Sequence, residues 1–413
     1  MISIFIAIIL GILAGIITGM IPSLHVNTVG IVIFSTSTLL LNYVSTLTIA
    51  SFLISIAITH AMFEFIPSIT VAIPSEDTIM SIQPAHKLLF EGRAYEVIRL
   101  VSFGGYLSIV VLVIIMPFLF IILPMVYALL KDYIGYLLIF IMCIIFIKTC
   151  GNYNVKLMSI LVFLISGILG CVMLTGNVSS NISLLCMLSG LFSVSNLIYN
   201  FNSNNIIPPQ KEVHSINVDN NFKRSVFAGS ISGCILGLLP GLGPAQGTMI
   251  AQGLTLNKHV TSEDFLITNS GINISDTLFS LIAIYLIGNP RSAISVYVSN
   301  LISDISLSHI VFFIFISLVV VSVCCMISII IGDYIISHMN RVNFRKINLI
   351  LIVGITFFIF CYTFYVGGCV WYVGICYIVS IALGIIVNVL GLNKSLLMGV
   401  LILPSILTYL GVI

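Results

Sequence analysis

The sequence predicts an all-α polytopic membrane protein built as two inverted repeats, with discontinuous helices or re-entrant hairpins among about ten to twelve membrane elements. Three observations predict it. First, 60% of the 413 residues are hydrophobic and only 7% are charged, with a mean hydropathy of +1.24. A soluble domain carries about 25% charged residues. Second, apolar runs near the roughly 20 residues needed to cross a bilayer recur along the chain. Third, a proline- and glycine-broken element occurs twice.

The apolar runs fall at 2–20, 28–62, 100–130, 133–149, 157–175 and 183–200. After a polar stretch they resume at 225–256, 265–288, 292–302, 307–331, 347–366, 369–391 and 395–412. The run 28–62 is long enough for two passes or a bent hairpin. The N-terminal run lacks a basic flank and a small-residue cleavage site, so it reads as a retained helix. The polar stretch 201–224, FNSNNIIPPQKEVHSINVDNNFKR, reads as a cytoplasmic linker between a first membrane repeat (1–200) and a second (225–413).

The net charge is only +2, and no Lys/Arg tract suggests nucleic acid. Most of the ten cysteines lie inside apolar runs, without metal-ligand spacing. No phosphate loop, nucleophile–base pair or paired catalytic carboxylates stand out, so an enzyme is not expected, nor a cofactor. Three basic clusters set a topology: Lys87, Arg93 and Arg99; Lys211, Lys223 and Arg224; Arg341, Arg345 and Lys346. The positive-inside rule assigns all three to the cytoplasm.

GIITGMIPSLHVNT (Gly15–Thr28) aligns without gaps on GCILGLLPGLGPAQ (Gly233–Gln246). Gly15 matches Gly233, Gly19 matches Gly237, Pro22 matches Pro240 and Leu24 matches Leu242. Each copy is followed by a second break, at Pro74 and at Pro290. Copy one ends at a cytoplasmic loop and copy two begins from one, the charge pattern of an inverted repeat. Such transporters hold substrate near the midplane, between discontinuous helices.

Non-helical backbone at membrane depth is tolerated only where protein buries it or water reaches it. Proline removes an N–H and interrupts the helix. Gly241 and Gly243 allow positive φ and close approach. The amides opening the AQGT segment, including Gly247, could face an anion, with Gln246 and Thr248 as side-chain donors. The first loop offers Ser23, His25, Asn27 and Thr28 instead, and His25 can titrate. A kinked, tightly packed span is the plainer alternative for both.

Intramembrane charges are functional candidates. Asn273, Ser275 and Asp276 offer oxygen ligands for sodium, or one carboxylate for a proton. Arg291, between Asn289 and Ser292, could grip a carboxylate or phosphate, or pair structurally with Asp276 or Asp304. Pro74 and Ser75 belong with the first-half break. Glu76 and Asp77 suit either binding or the membrane edge, and Glu64 is equally ambiguous. Trp371 and its neighbouring tyrosines read as an interfacial belt.

GSISGCILGLLPGLGPAQGT resembles the PGLGP signature of the large permease subunit of tripartite tricarboxylate transporters. VAIPSEDTIMSIQPAHKLLFEGRAYEVI, LLCMLSGLFSVSNLI and LIGNPRSAISV resemble further family segments, in the same order over about residues 10–300. The chain departs from the family pattern at Ser23, His25 and Arg291. It also has HAMFEFIPS where the family has Y-G-G, and INIS where it has A-N-N-A. The resemblance implies an ion-gradient-driven secondary transporter of organic anions. It also implies a small membrane subunit and an extracytoplasmic binding protein as partners, beside the lipid bilayer. The expected activity is transport of a small organic anion, a carboxylate, coupled to sodium or protons through alternating access in the cell membrane. A polyprenyl-phosphate transporter and a non-transporting membrane scaffold are the alternatives.

Overall fold

The computed structural model describes residues 2–21, 24, 26–71, 75, 77–148, 152–201, 208–212, 215–216, 218–239, 241–254, 260–302, 304–339 and 343–412. All regular structure among them is helical. The first half runs α1 (Ile2–Met20), α2 (Val26–Ser35), α3 (Ser37–Leu40), α4 (Thr46–Phe63), α5 (Phe65–Val71), α6 (Ile82–Phe90), α7 (Ala94–Leu130), α8 (Ile134–Lys148), α9 (Tyr153–Leu174), α10 (Ser180–Leu188) and α11 (Ser195–Tyr199). The second runs α12 (Asn220–Leu236), α13 (Pro244–Leu254), α14 (Ser262–Ile287), α15 (Ala293–Leu301), α16 (Leu307–His338), α17 (Phe344–Tyr365), α18 (Val370–Val389) and α19 (Gly399–Tyr409). Among the described residues, nine helical stretches are long and apolar enough to cross a membrane. The chain is a multi-pass membrane protein. Its outer surface carries exposed Phe5, Ile121, Phe315 and Trp371, as expected where the surrounding solvent is lipid.

Local chemistry sets the boundaries. The run 28–62 divides into α2 and α4, and Ser45 caps α4 by accepting the Thr48 N–H. Helix α12 begins at Asn220, inside the expected linker, because Asp219 accepts the Phe222 N–H at 2.8 Å. The run 225–256 divides into α12 and α13 at the PGLGP break. Helix α7 continues through Pro117 and Pro124 for 37 residues.

The two halves pack their opening helices in the same way. A Cβ on Gly11, Gly15 or Gly19 of α1 would meet Ser55, Thr59 or Phe63 of α4. A Cβ on Gly229, Gly233 or Gly237 of α12 would meet Gly271, Ser275 or Phe279 of α14. Glycines four apart form a flat stripe that lets two backbones approach closely.

Segments carrying the three basic clusters meet on one face. The Lys211 N–H donates to the Gly92 carbonyl at 2.8 Å. Arg93 pairs with Glu263 at 2.6 Å, and the Arg345 guanidinium lies 5.2 Å over the Phe201 ring. Arg99 grips Asp333 in a fork, at 2.8 and 2.7 Å. This is the face that the positive-inside rule would put in the cytoplasm. Two apolar cores lie between the faces, and each draws on both halves of the chain.

Candidate functional site at the helix breaks

The second break of the first half closes as a turn just before the short 3-10 helix Ile79–Ser81. Ser75 donates its N–H to Thr78 Oγ1 at 3.1 Å, and Thr78 returns its N–H to Ser75 Oγ at 3.4 Å. The second half repeats this at Ser292 and Ser295, with 2.8 and 3.1 Å. Reciprocal bonds of this kind satisfy the open amides of a helix N-terminus. The hydroxyls then diverge. Ser75 donates to Glu64 Oε2 at 2.5 Å, whereas Ser292 shares a hydrogen bond with Ser280 at 3.0 Å. The same fold element thus presents a carboxylate in one half and a hydroxyl in the other.

Glu64 is the buried acidic residue that the sequence left ambiguous; it is only 4% exposed. Asn273 donates to its Oε1 at 2.5 Å and to the Ala61 carbonyl at 3.1 Å. His60 Nε2 lies 3.9 Å from Oε2, while its Nδ1 bonds Thr18 at 3.1 Å. Asn269, one turn before Asn273, links the breaks of opposite halves. It donates to Ser81 Oγ at 2.6 Å and accepts from Thr248 Oγ1 at 2.5 Å. Asp77 also reaches this junction, its Oδ1 close to Gly243.

The sodium set expected from sequence is distributed over two faces of α14. Asn273 turns toward α4, whereas Ser275 packs on Gly233 of α12 with its hydroxyl buried and without a partner. Residues two apart on a helix point in nearly opposite directions. Asp276 lies beside Cys234 of α12.

The PGLGP element is held in shape by its own donors. Gly241 has φ +77° and lies against Leu401 and Ser405 of α19. The Gly243 N–H donates to Gln246 Oε1 at 3.1 Å, and Gln246 Nε2 donates to the Ser395 carbonyl at 3.0 Å. Thr248 donates to the Pro244 carbonyl as well as to Asn269. Gly247 packs on Leu236. Gln246 and Thr248, expected as anion donors, are therefore engaged with protein atoms here.

Arg291 pairs with neither Asp276 nor Asp304, the structural bridges considered from sequence. Its Nη1 donates to Tyr409 at 3.0 Å and its Nη2 to Tyr127 at 3.3 Å, with the guanidinium 5.6 Å over the Tyr127 ring. The chain leaves the α14 cap at Gly288 and carries Arg291 toward the ends of α7 and α19, away from α14. Among the described residues no carboxylate lies within salt-bridge distance of Arg291, and its Nε is buried without a partner. Asn289 is partly exposed beside it. Ser23, His25 and Pro74 lie outside the described residues, as do Glu76 and Pro240. Asn27 and Thr28 lie in the first turn of α2, which packs through Gly30 on Ile294 and Tyr297 of α15.

Sequence reasoning missed Asn269, Tyr127 and Tyr409. For Asn269 a signal existed: TNSGINISDT places polar residues on adjoining turns of an apolar helix. Nothing local marks the tyrosines, whose role depends on Arg291 arriving from elsewhere in the chain.

Residues 5–399 match the sequence profile of the tripartite tricarboxylate transporter TctA family. The chain is also 31% identical, over 396 residues and 94% of each chain, to an uncharacterized protein of Methanocaldococcus jannaschii. No solved structure matches it. With nearly its whole length matched and the broken elements in place, the chain belongs to the tripartite tricarboxylate transporter TctA family, a family of membrane transport permeases.

Proposed function

We propose that this permease carries a small organic anion, a carboxylate, driven by a sodium or proton gradient through alternating access. The observation that carries the reading is Arg291, a guanidinium at a helix break with hydroxyl partners and no carboxylate among the described residues. Moving a bare cation into a membrane protein costs several kcal/mol unless something compensates it. An anionic substrate compensates it for part of the cycle. Asn289, Ser292, Asn27 and Thr28 at the start of α2, and Ser23 and His25 ahead of it, complete the substrate region, with Pro74, Ser75, Gly241, Gly243, Gln246, Gly247 and Thr248 shaping the breaks.

The coupling ion is assigned to Asn273 and Glu64, while Ser275 and Asp276, on the face of α14 turned to α12, form a separate polar pair. The matched glycine stripes and matched caps support two inverted repeats, divided by the polar segment 201–224. A small membrane subunit and an extracytoplasmic binding protein are the partners that the family's tripartite organisation suggests.

Proteoliposomes test the reading. Labelled citrate, malate and succinate are offered under an inward sodium gradient, an inward proton gradient, or neither. Gradient-dependent, saturable uptake of one acid, with its KM raised at least tenfold in Arg291→Gln, is the expected result. Uptake of none by the folded permease, alone or with its partners, overturns it.

A further inference from the structure

The segment 394–409 lies along the PGLGP break from end to end. Its Ser395 carbonyl accepts from Gln246, and Met398 touches Gly243. One helical turn apart, Leu401 and Ser405 touch Gly241, and Tyr409 holds Arg291. At the start of the same segment stands Lys394. Its ammonium donates to Asn196 Oδ1, and no carboxylate lies within salt-bridge distance of it among the described residues. Two cations, each held only by neutral partners, thus sit at opposite ends of one segment, with the break between them.

They also lie toward opposite ends of the membrane-crossing helices. Lys394 is close enough to act electrostatically on His86, on the helix that leads into the basic loop at Gly92–Arg93. Arg291 meets Tyr127, at the far end of α7 from Arg99, and Tyr409, which packs on Gly135 just beyond α7. Five 3-10 residues and eleven α-helical residues separate the ends of the segment. At rises of about 2 and 1.5 Å per residue, that is about 25 Å. A small di- or tricarboxylate cannot touch both ends at once.

We propose that Lys394 is an inner anion-contacting residue that receives the carboxylate on the cytoplasmic side of the PGLGP break, after Arg291 has held it on the outer side. The ammonium exchanges Asn196 for a substrate carboxylate. This rests on the organic-anion reading above.

The test separates the two. Purified permease is first titrated with citrate, malate and succinate, with stability followed by thermal shift. No response to any of them in the wild type overturns the organic-anion reading, and this inference with it. The anion that does respond is then reconstituted. In proteoliposomes of defined orientation, Lys394→Gln should raise the KM for efflux at least tenfold and leave the KM for uptake within about threefold. Arg291→Gln should do the reverse, and Lys394→Arg should restore most of the efflux. Lys394→Arg also serves if the glutamine variant does not fold, since it then keeps efflux near wild type while Asn196→Ala, which frees the ammonium, alters the efflux KM alone. If Lys394→Gln folds and leaves both KM values unchanged, or if Asn196→Ala changes neither, Lys394 is no station while the anion reading stands.

Discussion

Asn273 on α14 donates its side-chain amide to Glu64, across the interface with the α4–α5 segment of the other half, at 2.5 Å. The same amide also holds the Ala61 carbonyl. One side chain therefore joins the two halves and positions a buried carboxylate beside a helix break.

Removing that amide should expose the dependence. Asn273→Ala leaves Glu64 short of a donor at an almost fully buried site. The expected cost is about 1–3 kcal/mol, read as a lower midpoint in thermal unfolding in detergent. Glu64→Gln keeps the volume and most of the hydrogen bonds, so its midpoint should stay close to wild type. Gradient-driven uptake should nevertheless fall by at least tenfold, because the amide neither charges nor binds a cation as carboxylate does. Unchanged uptake in Glu64→Gln would remove Glu64 from the coupling site.

The PGLGP break predicts unequal glycines. Gly241 has φ +77° and its added Cβ would fall 2.6 Å from Ser405 Oγ, so Gly241→Ala meets both strain and a clash. Left-handed backbone alone costs a non-glycine residue about 1–2 kcal/mol. At Gly243 the nearest atom is the flexible Met398 Cε at 3.2 Å, so Gly243→Ala should cost under about 1 kcal/mol. Comparing the unfolding midpoints of the two variants checks this, and equal losses would contradict the stated geometry.

The glycine stripes offer a matched pair. Gly233→Ala would push a methyl toward Ser275 Cβ at 2.6 Å and the Asp276 backbone nitrogen at 2.9 Å. Gly15→Ala meets Thr59 and the Ile56 carbonyl in the first half. Backbone neighbours cannot swing away, so each should lose about 1–3 kcal/mol. Thermal unfolding of both variants measures whether the two halves respond alike.

The matched glycines of α1 and α12 were legible because glycine acts where it stands, whereas the start of α12 inside the expected linker was set by the Asp219 cap. Ser75 and Ser292 could be matched because each closes a reciprocal pair of hydrogen bonds with a hydroxyl three residues on. What the sequence could not assign depends on distant segments. Glu64 stayed ambiguous because the residue that binds it, Asn273, arrives on another helix. For Arg291 the structural alternatives weighed were Asp276 and Asp304, because sequence proximity says nothing about Tyr127 and Tyr409. No motif was quoted beyond about residue 300, yet the family match runs to residue 399, and Lys394, Ser395 and Ser405 stand along the break.

His86 gives a pH dependence. Burial holds its pKa below the usual 6.5, with the Lys394 charge acting the same way, against hydrogen bonds to the Ile69 and Ser68 backbone. Its Nε2 is buried without a partner. The unfolded chain therefore takes up a proton that the folded protein refuses. The stability this protects is fully present above about pH 6.5 and is lost as pH falls from there toward the folded pKa. The unfolding midpoint should drop between pH 7.5 and 5.5, and His86→Phe should flatten that drop. A pH profile identical in the variant would show that other groups control it.

Arg291 should resist even a conservative change. Its two terminal nitrogens reach Tyr409 and Tyr127 separately, and its plane lies over the Tyr127 ring. Lysine keeps the charge but carries it at one point, without the planar fork. Arg291→Lys should therefore raise the uptake KM by about tenfold or more, since the ammonium cannot be oriented by both hydroxyls. Tyr409→Phe and Tyr127→Phe each remove one hydroxyl and keep the ring, so each should raise the KM by a smaller factor. The double variant should approach Arg291→Lys, because both routes remove the same orientation of the cation. A double variant with the wild-type KM would mean that the tyrosines merely pack around Arg291, and that the charge acts without being aimed.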